Sequence, residues 1–153
     1  MDDKIILLVE DNPDDEELTL RALKKHKITN EIVVARDGQE ALDYLFAAGP
    51  YANREARVQP QVILLDINMP KVNGIDVLTR IRGDQRTHLL PVVMLTSSAE
   101  ERDLVAAYTN HANSYIRKPV DFDQFTHAVQ QLGLYWLVLN QPPPKSAGAS
   151  PAL

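Results

Sequence analysis

Cysteine is absent from all 153 residues, so no disulfide framework, thiol nucleophile or thiolate-bound metal can stabilise or drive this protein. Glycine is sparse, and none of the 6 glycines forms the G-x-G-x-x-G pattern by which a loop cradles a dinucleotide pyrophosphate. Basic charge falls short as well. The 16 Lys and Arg against 21 Asp and Glu leave a formal net charge of −5, which offers no field to gather phosphate backbones or anionic lipid. Nucleic acid and membrane surfaces are therefore not expected partners. No apolar run approaches the ~20 residues of a membrane span, and the chain opens Met1-Asp2-Asp3 rather than on lysines, so a cytoplasmic protein is expected. The four histidines, His26, His88, His111 and His127, lie too far apart for ligand spacing and read as surface or packing residues.

What is present suits one globular domain: 44% of positions are hydrophobic and 24% charged. Five short apolar runs stand out: Ile5 to Val9, Ile32 to Ala35, Val62 to Leu65, Val92 to Leu95, and Ser114 to Ile116. Their apolarity is continuous rather than alternating, as expected of strands covered on both faces of a parallel sheet. Amphipathic segments separate them. The first has Asn12 as N-cap, Pro13 in the first helical position, acids from Asp14 to Glu17 and basic Lys24 and Lys25 near its end. The others run from about Gln39 to Ala48, Ile75 to Arg82 and Glu100 to Asn110, and the last starts at Asp121, where Asp121 can cap and Gln124 can reach back. Asn73-Gly74 reads as a turn in which glycine supplies a positive φ. Five strands alternating with five helices predict an α/β, doubly wound fold.

In such a sheet all carboxyl ends lie on one edge, where ligands bind at the point of strand-order reversal. Glu10-Asp11, Asp66, Thr96 and Lys118 all fall at or just beyond strand ends, so four separate stretches converge there. Three carboxylates within ~4 Å repel by about 4 kcal/mol per pair at an effective dielectric of 20, and such a cluster calls for a cation. Oxygen ligands suit magnesium or a similar hard ion, held by one or two carboxylates and a phosphate. Lys118 and Thr96 suit that phosphate as point charge and hydrogen-bond donor. Asp66, central to the sheet, is the expected nucleophile of an aspartyl-phosphate site.

The string Asp66-Ile67-Asn68-Met69-Pro70-Lys71-Val72-Asn73-Gly74, with Glu10-Asp11 before it and Thr96 and Lys118-Pro119 after it, resembles the receiver domain of two-component response regulators. The resemblance spans about residues 4 to 133. It implies a flavodoxin-like five-stranded parallel sheet of order 2-1-3-4-5, with five helices. It implies that Asp66 accepts a phosphoryl group from a sensor histidine kinase, and that magnesium is bound by Asp11, Asp66 and the backbone carbonyl of Asn68, with Glu10 acting through water. It further implies a switch formed by Thr96 and Tyr115, and a cis peptide between Lys118 and Pro119, which X–Pro bonds make inexpensive. Such a protein is a stoichiometric phosphoacceptor rather than an enzyme. Within the family, the long connection from Ala47 to Gln61 and the aromatic Tyr135-Trp136 near the end are most similar to the stand-alone regulators paired with phytochrome-type kinases.

Two other families of chemistry share part of this pattern. Phosphatases of the haloacid dehalogenase type also use a strand-end aspartate with magnesium, but Asn68 stands where their second aspartate, the general acid, belongs. A pseudo-receiver that binds partners without phosphorylation conflicts with the intact acidic set. Residues 1–139 are expected to form the receiver domain, and 140–153 a proline-rich flexible tail. After Gly133 the run Leu134-Tyr135-Trp136-Leu137-Val138-Leu139 is apolar on every side, and one domain face cannot bury six consecutive side chains. It is expected to associate with its copy in a two-fold dimer. The output is then contact with an unknown downstream protein.

Overall fold

The first strand, β1 (Ile5–Val9), is buried along its whole length, which is what five consecutive apolar side chains require. The computed structural model describes residues 5–25, 30–55, 58–97, 112 and 114–131. After β1 come α1 (Pro13–Lys25), β2 (Glu31–Ala35), α2 (Gly38–Leu45), β3 (Val62–Asp66), α3 (Gly74–Arg82), β4 (Val92–Thr96), β5 (Ser114–Arg117) and α4 (Phe122–Gln131). All strand pairs are parallel and their order is β2-β1-β3-β4-β5, the doubly wound arrangement expected. The predicted helix over 100–110 and the association segment 134–139 lie outside the described residues.

Strand alternation divides the core in two. Ile6, Leu8, Leu64, Val93, Leu95 and Ile116 face one side, where they pack with Leu23 of α1 and Phe125, Ala128 and Val129 of α4. Leu7, Val9, Ile63, Leu65 and Met94 face the other, against Leu42 and Leu45 of α2 and Val77, Leu78 and Ile81 of α3. Each fully buried Leu or Ile contributes ~1.5–3 kcal/mol through removal from water. Truncating one to Ala at the centre costs ~2–5 kcal/mol.

Helix starts are built by side chains. The Asn12 Oδ1 accepts the backbone N–H groups of Asp14 and Asp15 at 2.9 and 3.1 Å, which sets the first turn of α1. Asn73 caps α3 in the same way through the Asp76 N–H, at 2.9 Å. The neighbouring Gly74 is needed for a reason other than the positive φ expected of it: a Cβ there would lie 2.2 Å from the Asp66 carbonyl oxygen. The left-handed residue of this loop is Lys71, with φ 66°. At α4, Asp121 caps the Gln124 N–H at 2.8 Å. The Gln124 side chain reaches back as far as β5, accepting from the Arg117 N–H at 3.1 Å and donating to the Pro119 carbonyl at 3.2 Å.

Helix α2 stops before the predicted Ala48, because Ala47 turns left-handed (φ 52°) and Ala48 is extended ahead of a 3₁₀ turn at Gly49–Tyr51. The connection that follows is strapped down. Arg54 lies 4.0 Å over the Tyr44 ring and donates to the Tyr44 and Val58 carbonyls at 2.7 and 2.5 Å. Tyr51 meets Tyr44 edge to face, with centroids 5.3 Å apart, and donates its hydroxyl to Glu40 at 2.7 Å. Gln59 donates to the Leu45 carbonyl at 3.0 Å. Tyr51, Arg54 and Gln59 thus strap this connection over α2.

Candidate functional site

The carboxyl ends of β1, β3, β4 and β5 meet at one edge, with β3 in the middle. Asp66, the last residue of β3, pairs with Leu95, and Thr96 pairs with Arg117. Glu10 follows β1, its N–H held by the Ala35 carbonyl at 3.0 Å. Thr96 is likewise held to the next stretch, because its carbonyl accepts the Lys118 N–H at 2.8 Å. The Lys118–Pro119 peptide is cis.

Glu10, Asp11 and Asp66 each place a carboxylate oxygen within 4.8 Å of the others. Glu10 and Asp66 are 0% and 2% exposed. Lys118 reaches into this acidic site. Its Nζ stands 3.3 Å from each Glu10 oxygen, 3.3 Å from Asp66 Oδ2 and 2.8 Å from Asp15 Oδ2. Backbone donors help only at longer range, the Asn12 N–H to Glu10 at 3.3 Å and the Asn68 N–H to Asp66 at 3.4 Å.

The electrostatics follow from burial. Desolvation, with the charge of Asp66 and a hydrogen bond to it, pushes the Glu10 carboxyl up to about 8, although Lys118 pulls the other way. Burial raises Asp66 as well, against its hydrogen bond with Glu10 and the ammonium of Lys118. Burial by itself would lower Lys118, but its hydrogen bond to Asp15 and the charges of Asp66 and Glu10 more than reverse this, so it stays protonated. The donor set of three clustered carboxylates fits a hard divalent cation.

Thr96 is buried at the end of β4. Alternation puts it on the same sheet face as Met94, and Tyr115, the Met94 partner in β5, packs half-buried against the cluster on that face. Thr96 and Tyr115 therefore share one face.

Among the described residues, no helix is long and apolar enough to cross a membrane. The model of the response regulator receiver domain matches residues 6–130. The chain belongs to the response regulator receiver domain family. Among curated relatives, this receiver is 42% identical over 139 residues to the probable methanogenesis regulatory protein FilR2 of Methanothrix harundinacea, covering 91% of this chain and 87% of that one. It is 38% identical over 134 residues to the response regulator Rcp1 of Synechocystis, covering 88% and 89%. Among solved structures, the bacteriophytochrome response regulator AtBRR superposes with a TM-score of 0.84 at 53% identity, over 89% of this chain and 96% of that one. The Mn(2+)-bound form of Rcp1 superposes with a TM-score of 0.69 at 37% identity, over 92% and 99%.

Asp15 is the site contact that sequence reasoning missed. Asp15 lay in an acid run explained by the helix dipole alone. Its signal was positional, in that the first turn of α1 begins where Glu10-Asp11 end, within reach of the same edge.

Proposed function

We propose that this receiver is a single-domain, cytoplasmic response regulator that takes one phosphoryl group from a sensor histidine kinase onto Asp66, with magnesium, and signals by contact with another protein. The observation that carries the reading is a buried acid at the centre of the sheet edge, with Lys118 3.3 Å away and two further carboxylates within 4.8 Å. Such a cluster is short of positive charge. Asp11, Asp66 and the Asn68 carbonyl would hold magnesium, with Glu10 acting through water, and the ion supplies neutralisation of phosphoryl oxygens. The Mn(2+) form of Rcp1 supports a divalent cation here.

An Asp66 carboxylate oxygen forms a bond to phosphorus as the P–N bond of the kinase phosphohistidine breaks, and the electron pair returns to the imidazole nitrogen. Lys118 directs an N–H to one phosphoryl oxygen and the Thr96 hydroxyl donates to another. Thr96 moves inward as it does so, and Tyr115 on the same face follows, which changes the surface offered to the downstream protein. The phosphoryl group stays on Asp66 until it is hydrolysed, so the protein is a stoichiometric acceptor. Likeness to a bacteriophytochrome response regulator and to Rcp1 supports a phytochrome-type kinase as the donor.

Incubation with a small acyl phosphate and magnesium is expected to add the mass of one phosphoryl group. Sustained turnover of donor in large excess would overturn the reading in favour of a phosphatase. For association, we propose residues 1–139 as the receiver, 134–139 as the dimerising segment and 140–153 as a flexible tail. Light scattering is expected to show a dimer for the full chain and a monomer after truncation beyond Gly133.

A further inference from the structure

We infer that Asp15 is a positioning residue for Lys118, a resident competitor that sets how strongly the lysine can grip an incoming phosphoryl oxygen. The inference rests on the reading of Asp66 as the phosphoacceptor. An ammonium has three N–H donors, and Lys118 faces three carboxylates, those of Glu10, Asp15 and Asp66. Its donors are therefore already committed. The contact to Asp15 is the shortest of them, 2.8 Å against 3.3 Å to Asp66.

The sequence builds this contact locally. Asn12, through Oδ1, holds the backbone N–H of Asp15 at 3.1 Å, and the Asn12 N–H is itself tied to Glu10 at 3.3 Å. One six-residue stretch, Glu10 to Asp15, thus supplies two of the carboxylates on the lysine. Glu10 is wholly buried and Asp66 nearly so, but the Asp15 side chain is 30% exposed, so its charge can be solvated when the lysine turns away from it. Of the three anions it is the one that can release Lys118 at least cost. Until it does, its negative charge both shares the ammonium and repels a phosphoryl group bound beside it.

The test uses the full chain with saturating magnesium and beryllium fluoride as a phosphoryl mimic, followed by calorimetry. Asp15→Asn keeps the shape and removes the charge, and is expected to bind the mimic on the order of tenfold more tightly, the gain shrinking as salt screens the charge. Asp15→Glu retains the charge and is expected to stay within about twofold of the unsubstituted protein, a difference that a purely structural role would not produce. Equal affinity of the unsubstituted protein and Asp15→Asn, or equal behaviour of the Asn and Glu variants, overturns the assignment to Asp15. An unsubstituted protein that fails to bind the mimic at all overturns instead the reading of Asp66.

Discussion

Where the connection after α2 is strapped down, groups meet in complement: Arg54 has the Tyr44 ring and two carbonyls, and Glu40 of α2 has the Arg36 N–H and the Tyr51 hydroxyl. At the carboxyl edge of the sheet the balance is different. Among the described residues Lys118 is the one cation facing Glu10, Asp15 and Asp66, and Asp11 lies in the same carboxylate group as Glu10 and Asp66. Satisfied polar groups rigidify a fold, whereas buried like charges weaken it and persist where something must be received. The strap meets its charges from within the fold, whereas among the described residues the edge gathers more carboxylates than one lysine balances.

The sharpest way to break this contrast is Asp66→Asn. It is expected to abolish the mass gain from acyl phosphate and to end the rise in melting temperature caused by millimolar magnesium. The same change relieves crowding among buried acids and should leave the metal-free protein about 1 kcal/mol more stable, read by denaturant unfolding. A destabilised variant would show the edge to be as well satisfied as the strap.

Gly74→Ala tests how closely the α3 start is pressed on the site. The new Cβ would sit 2.2 Å from the Asp66 carbonyl, which is backbone and cannot swing aside. A loss of about 2–3 kcal/mol is expected in unfolding, together with weaker magnesium binding. Arg54→Ala acts on the strap alone. It removes the stacking on Tyr44 and leaves carbonyls without their donor, for an expected loss of about 2 kcal/mol with acyl-phosphate labelling unchanged.

The smallest effect concerns pH. The hydrogen bond from Tyr51 to Glu40, with partial burial and the Glu40 charge, pushes the phenol up to about 12 from its ordinary 10. A group raised on folding contributes stability that is complete below its unfolded value and lost as pH climbs through the folded one. Stability should therefore fall between pH 10 and 12, and Tyr51→Phe should fall less over that window. Equal slopes for the two proteins would leave the strap without its hydroxyl clamp.

Much of this was readable from residue order. Continuous apolar runs could only be strands covered twice, and Asp66, Thr96 and Lys118 stood at strand ends that a doubly wound sheet must bring together. What escaped depended on distances that periodicity does not encode. Asp15 looks like any acid in a first helical turn until Lys118 arrives from β5, more than a hundred residues later. Gly74 suggested a turn because glycine so often supplies positive φ, yet here it answers to the Asp66 backbone pressed against it. The strap was visible as length alone, since the Tyr44, Tyr51 and Arg54 cluster joins residues from two different segments.

Asp66 ends the middle strand of five, with neighbours on both sides. The next peptide is clamped too, its Ile67 N–H to the Leu95 carbonyl at 3.3 Å and its carbonyl to the Gly74 N–H at 2.9 Å. In hydrogen-exchange terms these amides are expected to open late, and those of the edge strands β2 and β5 earlier. The acyl phosphate proposed for Asp66 would therefore be carried on one of the most firmly held stretches of backbone in the sheet.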